Sequence, residues 1–124
     1  MNITTTKVKS PPCMVIAIDG KVVGTGATAL EDALQQVITD GETRLVLDLT
    51  AASIISSAGL RVIIVTARRV RALPSGDLRL AGLSHQMLDV LELAGLLTVF
   101  KVYPSQQEAI ESFQTANSSP VAGG

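Results

Sequence analysis

The run Arg44-Leu45-Val46-Leu47-Asp48-Leu49-Thr50 constrains this chain more than any other stretch. A strand with one wet face alternates apolar and polar residues, whereas a nearly continuous apolar run suits a central strand covered on both faces. The cover is legible in the neighbouring sequence. Leu30, Leu34, Val37 and Ile38 recur at helical spacing, with Glu31, Asp32, Gln35 and Gln36 between them. That pattern predicts an amphipathic helix, stopped at Asp40-Gly41 where glycine accepts the left-handed cap conformation. A second helix is expected from about Ala58 to Leu73, broken by Pro74-Ser75-Gly76. Ser84 caps a third that runs to about Leu93. Ser105 and Glu108 form a capping box for a fourth, ending near Phe113.

Strands alternate with these helices. Leu78 to Ala81 and Thr98 to Val102 are short ones, and Ile54 to Gly59 reads as a loop into the second helix. At the front, residues 3–9 read as an edge strand ended by Ser10-Pro11-Pro12, because proline cannot donate to a ladder. Met14 to Ile18 is a compact apolar run. Asp19-Gly20 then carries a hairpin signal, with Lys21-Val22-Val23 as the antiparallel return. The order predicts an α/β fold: a mixed sheet with an antiparallel N-terminal hairpin, parallel members joined by right-handed crossovers, and about four helices. Residues 1–115 make one domain, and 116–124, without periodicity, are expected to be a disordered tail.

Several function classes are disfavoured. Hydrophobic residues make up 47% of the chain but aromatics only 2%, so the core is aliphatic and there is no platform on which nucleic-acid bases could stack. A net charge of -1 lacks the basic excess of a phosphate-backbone binder. One cysteine, Cys13, excludes an internal disulfide, and one histidine, His85, excludes a Cys/His zinc cluster. No apolar run approaches the ~18 residues that a membrane span needs, and the first residues lack a signal-peptide pattern. A soluble, cytoplasmic protein is expected.

Three constellations bear on chemistry. Gly24-Thr25-Gly26-Ala27-Thr28-Ala29, with Asp48 downstream, fits a dinucleotide fingerprint in which glycines let backbone amides reach a pyrophosphate. The turn expected at Asp19-Gly20 would split the strand that this motif must follow, so a flexible turn and helix start is preferred. Ser57-Ala58-Gly59 is half of a nucleophile elbow, but Ile55 stands where the first glycine belongs. Ser84-His85, with Asp48 or Asp89 as a third member, has no supporting spacing. No catalytic residue, metal site or cofactor of the chain's own is expected.

The second helix carries Arg61, Arg68, Arg69 and Arg71. Arg61, Val65 and Arg68 share a stripe, so part of the outward face is apolar and part basic, which suits either a solvated face or protein docking. Ser56-Ser57 stands just before this helix, facing unpaired amides and the positive end of the helix dipole. Such a serine is an N-cap or a phosphorylation site, and composition alone leaves both open.

From about residue 14 to 113 the chain resembles the STAS family, whose small members include anti-sigma factor antagonists. Leu45-Val46-Leu47-Asp48-Leu49-Thr50, Ile55-Ser56-Ser57-Ala58-Gly59-Leu60 and Leu78-Arg79-Leu80-Ala81-Gly82-Leu83 carry the resemblance. Val90-Leu91-Glu92-Leu93-Ala94-Gly95-Leu96, Val99-Phe100-Lys101-Val102-Tyr103 and Glu108-Ala109 complete it. It implies that Ser57, with Ser56 the weaker candidate, is phosphorylated by a partner anti-sigma kinase that brings the ATP and metal. Unphosphorylated antagonist captures the anti-sigma factor and frees sigma; phosphorylation ends capture, and a serine phosphatase restores it. The surface implied is Ser56, Ser57, Gly59, Arg61, Val65 and Arg68, on a monomer or weak dimer that touches neither nucleic acid nor membrane. The aspartate typical before the serine is Ser56 here, and a second acidic position falls near Val23. A constitutive interaction or sensory module without a phospho-switch is the alternative.

Overall fold

The structure is a computed structural model that describes residues 1–114 in full and the backbone of the last helix to Ala122. The tail expected over 116–124 lies outside the fully described residues. Five strands form one sheet in sequence order: β1 (Asn2–Lys9), β2 (Pro12–Val22), β3 (Arg44–Ile55), β4 (Asp77–Ala81) and β5 (Lys101–Tyr103). Between and after them come α1 (Thr25–Thr39), α2 (Ser57–Arg71), α3 (His85–Leu93) and α4 (Gln106–Ala122). β1 and β2 pair antiparallel, and every later neighbour pairs parallel. This is the mixed α/β sheet that the order of elements predicts.

β3 is covered on both faces. Leu45, Leu47 and Leu49 point into the larger core with Leu30 and Leu34 of α1 and Ile63, Ala67 and Val70 of α2. Val46, one residue out of phase, packs on the opposite face with Val15, Ala81, Ala109, Ile110 and Phe113. The period-two alternation of a strand thus divides one apolar run between two cores. Each fully buried aliphatic side chain contributes about 1.5–3 kcal/mol relative to exposure, so the centre of the sheet anchors the fold.

The expected hairpin turn is corrected. Asp19-Gly20 is not a hairpin turn. β2 runs through it, with register shifts on either side of Asp19-Gly20 and Gly20 at φ 104. Asp19, Gly20, Lys21 and Val22 still pair with β3, and Val22 is buried in the same core as Ile16 and Ile18. The dipeptide makes a bulge because the partner strand continues beside it, past Thr50 to Ile55. The antiparallel hairpin is made instead by β1 and β2, where Lys9 faces Pro12 across the Ser10-Pro11 turn.

Candidate functional site

Parallel pairing delivers the C-terminal ends of β2 and β3 to one edge of the sheet, where Val22 faces Ile55. The next residue, Ser56, donates its backbone N–H to the Val22 carbonyl at 2.9 Å. Its extended backbone and its hydroxyl make it the N-cap of α2: Ser56 Oγ accepts from the Gly59 amide at 3.2 Å. Gly59 is buried directly beneath. A methyl group there would lie 2.8 Å from Val22 Cγ1 and 3.1 Å from Ile55 Cγ2, so glycine lets the first turn of α2 press onto the strand ends. Ser56 and Gly59 therefore build the junction, and the buried Gly59 supports the surface from below instead of forming part of it.

Ser57, the first residue of α2, is exposed. Its hydroxyl has no hydrogen-bond partner among the described residues, and neither do the amides of Ser57 and Ala58. The first turn contains no acidic residue to offset the helix dipole. From Ser57 the helical repeat runs along one stripe through Arg61, Val65 and Arg68, all exposed, with Val65 at 53%. Ile63, Ala67 and Val70 occupy the buried side. The stripe read from the sequence is thus one continuous surface starting at Ser57.

Two further residues join this edge. Val23 and Ile54, 45% and 47% exposed, flank the Val22–Ile55 pair from which Ser56 hangs. Reading residues 54–59 as loop hid Ile54; the signal was the Ile54-Ile55 pair, of which a strand can turn only one inward.

The other constellations dissolve. Asp48 Oδ1 accepts from the Thr50 amide and hydroxyl at 3.0 and 2.6 Å, and Oδ2 from Gln106 Nε2 at 2.8 Å, so the carboxylate ties β3 to α4, and neither oxygen meets an imidazole among the described residues. Ser84 Oγ caps α3 by accepting from the Met87 amide at 3.2 Å, while His85 and Asp89 lie exposed on that helix. β2, α1 and β3 do make an unbroken parallel crossover, so the split strand held against the Gly24–Ala29 fingerprint is withdrawn. What remains against it is Asp48, which sits inside β3 with its carboxylate engaged and not at the strand's end. Burial pushes the Cys13 thiol up, leaving it a neutral core side chain. Among the described residues no cluster of metal-binding groups occurs, and no helix is long and apolar enough to cross a membrane.

The STAS domain profile matches residues 4–109 of this sequence. The chain belongs to the STAS family. Among its relatives, BtrV of Bordetella bronchiseptica, assigned as an anti-sigma factor antagonist, is 37% identical over 103 residues, covering 83% of this chain and 88% of BtrV. The anti-sigma-F factor antagonist RsfB of Mycobacterium tuberculosis is 26% identical over 110 residues, 88% of each chain. The fold is shared with the Bacillus cell-fate determinant SpoIIAA in its phosphorylated form, at a TM-score of 0.71 and 20% identity over 90% of this chain and 98% of that one. In this STAS domain, then, the serine junction sits between β3 and α2, at the C-terminal edge of the parallel strands.

Proposed function

We propose that this STAS protein is an anti-sigma factor antagonist whose capture of the anti-sigma factor is switched at Ser57. The observation that carries this reading is the division of labour between two adjacent serines. Ser56 is part-buried and already accepts a hydrogen bond, whereas Ser57 presents a free hydroxyl at the head of an exposed stripe. The antagonist assignments of BtrV and RsfB support it.

In the unphosphorylated state Ser57, Arg61, Val65 and Arg68, with the apolar shoulder of Val23 and Ile54, form the surface offered to the anti-sigma factor, and capture releases sigma. The partner is a serine kinase. Ser57 Oγ attacks the γ-phosphorus of its ATP; the Oγ–P bond forms, the bond to the bridging oxygen breaks, ADP leaves, and the hydroxyl proton passes to a base of the kinase or to solvent. The product adds about -1.5 to -2 charges at a helix N-terminus. There the free amides of Ser57 and Ala58 can donate to the phosphate oxygens, and Arg61 stands one turn along. Pairing with phosphate withdraws Arg61 from the partner and places negative charge in the middle of the surface. A serine phosphatase reverses the step.

Residues 1–115 act as one cytoplasmic binding module, a monomer or weak dimer, without catalysis of its own. Ser56 stands where the family typically has aspartate; it retains the cap and omits the charge, which slows transfer without removing the acceptor. The test is incubation with the cognate anti-sigma kinase and ATP, followed by intact-mass measurement and site mapping of the parent, Ser57→Ala and Ser56→Ala. One phosphate on Ser57, absent from Ser57→Ala and kept in Ser56→Ala, is expected. Label that persists in Ser57→Ala moves the switch to another residue. Capture without any label favours a constitutive module.

A further inference from the structure

The far end of the parallel strands carries a second feature that the serine junction does not use. Arg44, Asp77 and Lys101 are the first residues of β3, β4 and β5, and the register sets Arg44 beside Asp77 and Arg79 beside Lys101. With Arg71 at the end of α2, they line an open cleft of about 670 Å³. That volume is typical of a small-molecule site, which ordinarily spans roughly 300–1,000 Å³.

Four cations share this cleft with one carboxylate. Asp77 accepts from Arg71 Nε at 2.8 Å and Arg79 Nε at 3.0 Å, and Lys101 Nζ lies 3.8 Å away. Arg79 is buried, so one cation suffices to neutralise Asp77 and the other three are surplus. Both arginines reach Asp77 through Nε. Arg79 commits Nη1 to Ser112 Oγ at 2.7 Å, while the terminal nitrogens of Arg71 have no partner among the described residues. Among the described residues Arg44 makes a single long contact, Nε to the Ser75 carbonyl at 3.4 Å, and pairs with no carboxylate. The guanidinium carbons of Arg71 and Arg79 lie over the rings of Phe100 and Phe113, 5.8 and 4.0 Å from the centroids. Leu97 and Val99 supply an apolar wall. The chain as a whole carries -1, so this is a local concentration of positive charge and not a reflection of composition.

We propose that this cleft binds a small organic phosphate. Surplus guanidinium forks with unused terminal N–H groups match phosphate oxygens bidentately, Lys101 adds a point charge, and the apolar wall receives the organic part. A bound dianion would cancel the repulsion among the three surplus cations. The site is separate from the serine junction. Ser57 and Arg71 are the two ends of α2, about 21 Å apart at 1.5 Å per residue, so a ligand here is compatible with an occupied partner surface. The inference stands whether or not Ser57 is a switch.

The test is a titration of the purified full chain with phenyl phosphate, and separately with inorganic phosphate, followed by amide chemical shifts at fixed pH and ionic strength, with sodium chloride as the matched control. Saturable shifts at Gly76, Thr98 and Lys101 are expected. The double variant Arg44→Gln/Lys101→Gln, altered at the rim and outside the core, should keep a dispersed spectrum and bind at least about tenfold more weakly, the scale of losing charge-assisted contacts. Tighter binding of phenyl phosphate than of inorganic phosphate would confirm the apolar wall; equal binding would overturn the organic part of the assignment. No saturable shift, shifts confined to Ser57 and Ala58, or undiminished binding by the folded double variant would overturn the site.

Discussion

Ser56 Oγ accepts from the Gly59 amide at 3.2 Å, whereas the hydroxyl of its neighbour Ser57 has no hydrogen-bond partner among the described residues. The cap fixes where α2 begins and turns the next side chain outward. Ser56→Ala should cost about 1 kcal/mol in urea unfolding, whereas Ser56→Asp, an equivalent cap, should cost nearly nothing. Ser57→Ala, at an exposed position without partners, should stay within about 0.5 kcal/mol of the parent. Equal losses at both serines would refute this division of roles.

Gly59→Ala brings a methyl group within 2.8 Å of Val22 Cγ1 and 3.1 Å of Ile55 Cγ2. Overpacking of this kind costs about 1–3 kcal/mol. The midpoint of thermal unfolding should fall even though alanine is the better helix former. A stabilised variant would show that α2 does not rest on the strand ends as described.

Burial raises the Asp77 pKa, but hydrogen bonds from Arg71 and Arg79, with their charges, outweigh it and hold the carboxyl below its ordinary value. A carboxyl depressed in the folded state contributes stability that is fully present above its unfolded value, near 3.9, and lost as pH falls through the folded value. Asp77→Asn should therefore be less stable than the parent at neutral pH, and the gap should narrow as the pH drops below about 4. A gap that stays constant down to acid-induced unfolding would contradict the sign.

Arg61 and Arg68 lie on the exposed stripe of α2 and make no ion pair among the described residues. Arg61→Glu/Arg68→Glu should weaken pull-down of the anti-sigma factor while changing stability by under about 1 kcal/mol for the pair. Undiminished capture would put the interface elsewhere.

Much of the fold was legible because β3 and the helices are specified by local pattern. The continuous apolar run of β3 announced a strand covered twice, and the spacing of Leu30, Leu34 and Val37 announced α1. The serine stripe was legible for the same reason, since Ser57, Arg61, Val65 and Arg68 share a helical face whatever packs behind it. Asp19-Gly20 misled because its dipeptide chemistry is common to a turn and a bulge, and only the partner strand beside it decides. Ile54-Ile55 looked like the start of a loop because Ile54 faces outward on a strand held by pairing with β2. The charge cluster around Asp77 was invisible because register, not sequence spacing, brings Arg44 and Lys101 to the Asp77–Arg79 pair of β4.

The central claim is that the charge state of Ser57 controls capture. Its most direct test is a calorimetric titration of the anti-sigma factor with this protein, unphosphorylated and stoichiometrically phosphorylated at Ser57, with Ser57→Ala as the reference for loss of the hydroxyl alone. Moving a dianion into an interface lined by apolar groups should weaken binding by at least about tenfold, while Ser57→Ala binds like the parent. Equal affinity of the phosphorylated and unphosphorylated forms would contradict the account.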